Sequence, residues 1–165
     1  MNPEEIINLA IGNGLIEPGL LRKVQVTPIQ DCLTKEEIKR IDKFREKFEP
    51  NKCLMNSYIV QEQLKLNCCE GVAYIIGNDG IGQDWIKHCW NVKHTADGDK
   101  YFDVGMEYAY TGNRRSQETT YFLLHEYKHS DYKKLFKKDK RGGFLSKAPE
   151  IKDILRNQLN ELLYG

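Results

Sequence analysis

The sequence predicts an α+β fold in which a helix opening at Cys53 packs on a small antiparallel sheet, with further helices flanking it. Three observations carry that expectation. Thr34-Lys35-Glu36-Glu37 has the form of a capping box ahead of apolar residues at helical spacing. Residues 70–76, 85–92 and 101–108 read as strands, the last two joined across the turn-forming Thr95-Ala96-Asp97-Gly98. Residues 149–163 then return to an apolar stripe of helical period.

Taken in order, residues 3–11 form the first predicted helix: Pro3, Glu4 and Glu5 suit a first turn, and Gly12-Asn13-Gly14 breaks the chain after it. Residues 14–31 contain Pro18, Gly19 and Pro28, and within them Leu21 to Val26 alternates as a short edge strand or an extended arm would. Behind the capping box, Ile38, Ile41, Phe44 and Phe48 predict a helix over residues 35–48. Pro50 ends it, and Asn51 is a good N-cap for a second helix whose apolar face would carry Leu54, Met55, Tyr58, Ile59 and Leu66. Glu70 to Ile76 reads as a buried strand bounded by Gly77-Asn78-Asp79-Gly80, followed by the Trp85 to Val92 and Tyr101 to Tyr108 strands.

Beyond Tyr110, Thr111-Gly112-Asn113-Arg114-Arg115 is a polar loop, and residues 116–135 are rich in aromatic and basic side chains, with Gly142-Gly143 closing the stretch. The final helix sets Pro149 in its first turn and Ile151, Ile154, Leu155, Leu159, Leu162 and Leu163 on one face, which serves packing or a dimer contact.

A chain of 165 residues is the size of one globular domain, here divided into an N-terminal helical extension (1–50), a core (51–110) and a basic helical C-terminal part (111–165). The net charge of +1 provides no overall field to recruit nucleic acid or an anionic membrane. Met1 to Glu5 is acidic and unlike a secretion signal, and no apolar run is long enough to span a bilayer, so a cytoplasmic protein without a membrane partner is expected. The five cysteines are odd in number, Cys68 and Cys69 are adjacent, and none forms a C-x-x-C pair. Free thiols therefore fit better than disulfides or a zinc ribbon.

Three residues suggest chemistry. A thiol is mostly protonated at neutral pH, so a cysteine nucleophile needs an imidazole to take its proton and a carboxylate to hold that imidazole. Cys53 would lie in the first turn of a helix, where free amides and the positive end of the dipole favour thiolate. If the hairpin closes around residues 94–98, His88 and Asp103 fall on neighbouring strands within about two residues of being opposite.

The runs Lys52-Cys53-Leu54-Met55-Asn56-Ser57, His88-Cys89-Trp90-Asn91 and Gly98-Asp99-Lys100-Tyr101-Phe102-Asp103 resemble the transglutaminase-like branch of the papain-like cysteine enzymes. Glu70-Gly71-Val72-Ala73-Tyr74 is similar to the intervening strand of its small members. The likeness covers roughly residues 51–105, a third of the chain. It implies a papain-like core with Cys53 as nucleophile, His88 as general base and then acid, and Asp103 as orienting carboxylate. It implies no cofactor, a protein or peptide substrate, and hydrolysis, deamidation, acyl transfer or transamidation as the reaction. Gln30 is a candidate side-chain oxyanion donor; otherwise backbone amides at the Cys53 helix start would serve.

Other readings compete. A cysteine is by default a buried packing residue, and Trp85 and Trp90 need be no more than core. His125-Glu126-Tyr127-Lys128-His129 satisfies H-E-x-x-H, in which two imidazoles on one helical face bind zinc, with Glu150 or Glu161 as third ligand, making a zinc-dependent hydrolase the alternative. Lys128, Lys133, Lys134, Lys137, Lys138, Lys140 and Arg141, with Arg114 and Arg115, form a basic segment over 128–141. It is either a solvated face or the contact for an acidic or phosphate-bearing partner, as in an inactive relative acting as a protein-interaction or nucleic-acid-binding module.

Overall fold

Alternating apolar strands and turn-forming junctions build one antiparallel sheet of five strands among the described residues, in the order β1-β5-β2-β3-β4. The structure is a computed structural model and describes residues 2–77, 82–109, 118–138 and 143–165, with residues 135–138 as backbone only. The elements are α1 (Pro3–Gly12), β1 (Arg22–Val24), α2 (Ile29–Cys32), α3 (Lys35–Asp42), α4 (Cys53–Leu64), β2 (Asn67–Ile76), β3 (Gln83–Thr95), β4 (Gly98–Phe102), β5 (Glu118–Tyr127), α5 (His129–Lys138) and α6 (Ala148–Tyr164). No helix among them is long and apolar enough to cross a membrane.

The sheet curls until its two edges meet. Just past β1, Val26 forms a parallel bridge to Tyr101 of β4, and the Thr27 N–H donates to the Tyr101 carbonyl at 3.0 Å. Side chains alternate across each strand, so one set lies inside the curl: Cys69, Ala73, Trp90, Val92, Tyr101, Tyr121 and Leu123 pack together there. Gly71 makes this crowding feasible. A Cβ at that position would stand 2.1 Å from the Phe122 carbonyl oxygen and 2.8 Å from the Trp90 ring, beside an irregularity in the β2–β5 register.

Helices cover the outer face. Ile6, Ile7 and Ala10 of α1 and Ile151, Leu155 and Leu159 of α6 bury Val72, Tyr74, Trp85 and Phe122. On the other flank, Ile29, Leu33, Ile41, Val60 and Leu64 close over Phe102 and Val104. The α3 capping box forms as expected, Glu37 N–H donating to Thr34 Oγ1 and Thr34 N–H to Glu37 Oε1.

Three local expectations are corrected. The helix expected over residues 35–48 stops at Asp42 and continues as a 3-10 turn, Arg45–Lys47, which returns Phe48 to stack on Tyr108 with ring centroids 5.6 Å apart. The strand expected over 101–108 ends at Phe102, because Asp103 turns its carboxylate back to the Met106 N–H at 3.3 Å and starts a π-helical turn, Gly105–Ala109. Asn51 is not the N-cap of α4; it takes a left-handed backbone, φ 63°, which Asn tolerates, and Lys52 precedes the helix. The expected α6 stripe packs through Ile151, Leu155 and Leu159, with Leu162 and Leu163 41% exposed at its end.

Candidate active site

The site is set by how α4 docks. Its fully buried face is Asn56, Ser57, Val60, Gln61 and Leu64; of the expected apolar residues, Leu54, Tyr58, Ile59 and Leu66 pack partly buried beside it and Met55 is 46% exposed. The reason is polar docking. Asn91 Nδ2 on β3 donates to the Ser57 carbonyl at 3.1 Å and to the Asn67 carbonyl at 3.2 Å, while the Cys68 thiol donates to the Ser57 carbonyl at 3.6 Å. Gln61 Nε2 donates to the His129 carbonyl, tying α4 to the start of α5. Asn56 closes the approach to the helix, its side-chain amide donating to the Glu49 carbonyl at 2.9 Å and accepting from the Glu49 N–H at 3.2 Å.

This docking puts Cys53, at the first turn of α4, against the edge of β3. The β3–β4 ladder runs from Thr95–Gly98 to Asn91–Phe102 and no further, so β4 leaves the edge at His88 and Cys89 uncovered. Cys53 is partly exposed there, and no side chain of Lys52 caps the helix. The sulfur interacts with both strand residues. The Cys89 thiol donates to it and lowers its pKa most, burial opposes this, and the hydrogen bond and charge of His88 and the Cys89 backbone N–H lower it further, to about 5. Cys89 itself is buried and its thiol is pushed well up, by burial first and then by Cys53, so it stays a donor.

His88 is 6% exposed and bonds Asp103 Oδ2 through Nε2 at 2.6 Å, which leaves Nδ1 for Cys53. Burial would lower its pKa, but the charge and hydrogen bond of Asp103, reinforced by Cys53, outweigh burial and raise it well above the usual imidazole value. Asp103, 4% exposed, shows the mirror effect. Burial would raise its pKa, yet His88, the Tyr121 hydroxyl and the Met106 N–H bring it below the ordinary carboxylate value. The hairpin turns at Ala96-Asp97, and its register carried one step past Asn91–Phe102 sets Asp103 beside Trp90, two residues from His88 and on the same face. That is the offset expected from the loop.

Two close partners of this line had no sequence signal. Cys89 is an ordinary strand residue until α4 brings Cys53 to it. Tyr121 Oη donates to Asp103 Oδ2 at 2.8 Å from β5, a strand that is not a neighbour of β4 in the sheet order. Only the Cys-His-Asp spacing was visible beforehand. Gln30, the candidate side-chain oxyanion donor, is exposed on the short α2.

The placement expected for His125 and His129 is corrected. H-E-x-x-H needs both imidazoles on one helix face, whereas His125 and Glu126 lie in β5 and His129 opens α5. The His125 ring packs on Tyr127 at 4.3 Å, and Glu126 Oε2 accepts from Asn67 Nδ2 at 2.8 Å and His94 Nε2 at 2.5 Å. Among the described residues, no three or more His, Cys, Asp or Glu side chains group to hold a metal ion. Of the basic segment, Lys133 pairs with Glu62 at 3.3 Å and Lys128 and Lys134 are exposed. The side chains of Lys137, Lys138, Lys140, Arg141, Arg114 and Arg115, with Gly142, lie outside the described residues.

Comparison with protein-family models, with curated proteins and with solved structures finds no match to this chain.

Proposed function

We propose that this chain is a cysteine-dependent acyl-transfer enzyme on a papain-like, transglutaminase-like core, acting through Cys53, His88 and Asp103. The observation that carries the reading is the continuous line from the Cys53 sulfur through the His88 imidazole to Asp103 Oδ2, with the sulfur at the uncapped start of α4. With the thiol at about 5 and the imidazole well above its ordinary value, the pair is thiolate and imidazolium at neutral pH.

The chemistry follows from those charges. The thiolate attacks an amide or ester carbonyl, forming the S–C bond as the carbonyl π pair moves to oxygen. Backbone N–H groups of the first turn of α4, which have no partner within the helix, receive the oxyanion. His88 then passes its proton to the departing amine or alcohol as that bond breaks, leaving an acyl group on Cys53. Water or an amine, giving its proton to His88, attacks the thioester and restores the thiolate. Asp103 stays ionised throughout and keeps the imidazole oriented.

The test is mass-spectrometric detection of acylated Cys53 during turnover of peptide amides, glutamine side-chain amides and activated esters, run beside Cys53→Ala. Acylation and turnover in the wild type alone are expected. Full turnover by a folded Cys53→Ala protein would end the proposal.

A further inference from the structure

The curl of the sheet makes one contact that neighbouring strands in a flat sheet would not. β4 and β5 are separated by β2 and β3 in the strand order, yet Tyr121 Oη reaches Asp103 Oδ2 at 2.8 Å across the interior. The oxygen it bonds is the one His88 Nε2 uses at 2.6 Å, while Oδ1 is met by the Met106 N–H at 3.3 Å. We propose, resting on the reading above, that Tyr121 is a positioning residue of the site: its hydroxyl fixes the Asp103 oxygen that orients His88.

A packing role alone does not account for this phenol. The ring has its packing, edge-on to Trp90 at 5.2 Å and tilted against His88 at 5.9 Å, and those contacts are satisfied by a phenyl group. The hydroxyl adds something different: a second donor to the very oxygen that bonds His88, so that Oδ2 is held from β5 as well as from β3 while the Met106 N–H holds Oδ1. Burial first, then the negative charge and hydrogen bond of Asp103, raise the phenol's pKa well above its ordinary value, so it stays a donor throughout the working range of the site. The titratable groups that face the pair are few. His88 meets Asp103 from β3, Cys53 acts through His88 from α4, and Glu107, in the turn after β4, adds negative charge near Tyr121.

The test is the pH dependence of Cys53 alkylation in the full-length chain, compared among wild type, Tyr121→Phe, Asp103→Asn and the double variant. Tyr121→Phe keeps the ring, and near-ultraviolet circular dichroism checks that the interior is unchanged. If the hydroxyl positions Asp103, its loss loosens the imidazolium that stabilises the thiolate, and the alkylation midpoint moves up by about one pH unit. Asp103→Asn moves it further, and adding Tyr121→Phe to Asp103→Asn has no additional effect, because the phenol acts through the carboxylate. The downfield ring-NH proton signal of His88 gives a second reading, expected to shift or broaden in Tyr121→Phe. A wild-type midpoint near 5 that Tyr121→Phe leaves in place, with an unchanged His88 signal, overturns the role of Tyr121 alone. A wild-type midpoint at the ordinary thiol value overturns the acyl-transfer reading and this inference with it.

Discussion

His88 and Cys89 are consecutive in β3 and leave opposite faces of the strand, yet both bond the sulfur of Cys53. Only a group at the strand's edge can reach both sides at once, and that edge is open because β4 stops pairing at Asn91–Phe102. The hydrogen bond from the Cys89 side chain is the largest single cause lowering Cys53, ahead of the hydrogen bond and the charge of His88 each taken alone. Cys89→Ala is therefore expected to raise the alkylation midpoint of Cys53 above 5, and Cys89→Ser, which keeps a donor, to hold it near the wild-type value. An unmoved midpoint in Cys89→Ala would remove Cys89 from the site.

The pH profile of the wild type follows from the same charges. Cys53 gains its negative charge as pH rises through about 5, and His88 keeps its proton to well above the usual imidazole value. Turnover should climb through that acid limb, hold across neutrality and fall only as His88 deprotonates on the alkaline side. At pH 6, Cys53 should alkylate roughly a hundred-fold faster than an ordinary thiol, because most of it is already thiolate. A single rise near pH 8 to 9 would contradict the arrangement.

Asp103→Asn should impair turnover by roughly 10²-fold or more while leaving some activity, because the amide holds the imidazole less well and cannot balance its charge. Cys53→Ala should remove turnover entirely. Equal activity of Asp103→Asn and wild type in steady-state assays would rule out the orienting role.

Asn91 is expected to matter twice. Its amide carries bonds from β3 to the Ser57 and Asn67 carbonyls, so Asn91→Ala removes two hydrogen bonds and should cost about 2 kcal/mol in urea unfolding. The same change releases α4 from the sheet, so Cys53 labelling should slow at pH 6 even where the variant is fully folded. Loss of stability with unchanged labelling would mean that other contacts set the helix.

Gly71→Ala tests the closeness of β2 and β5. The added methyl would sit 2.1 Å from a backbone carbonyl that cannot rotate away, so about 3 kcal/mol of destabilisation is expected, read from the urea midpoint. A neutral substitution would mean that β5 can shift to make room.

Local chemistry made several elements readable from the residues. The Thr34 capping box, the Pro3 start of α1, the turn at Ala96-Asp97 and the apolar stripe of α6 all form, because each depends on residues a few positions apart. Of the two readings of Leu21 to Val26, the edge strand is the one that forms, as β1, and it does so by pairing with the distant β5. H-E-x-x-H misled because its residues have no intrinsic period: the apolar residues before it satisfy a strand buried on both faces as well as they satisfy a helix.

By itself, then, the sequence determined the types and the order of Cys53, His88 and Asp103 and the hairpin that brings the last two within reach, since loop length limits how far apart they can be. The buried polar face of α4 was illegible because Asn56, Ser57 and Gln61 find partners on β3, α5 and the preceding turn, and an apolar stripe cannot reveal such bonds. Tertiary structure alone decided that Cys53 meets the open edge of β3, that Cys89 shares its charge and that Tyr121 reaches Asp103. Those contacts join residues from 18 to 36 positions apart, and closing such distances is the work of sheet curvature and helix docking rather than of any local propensity.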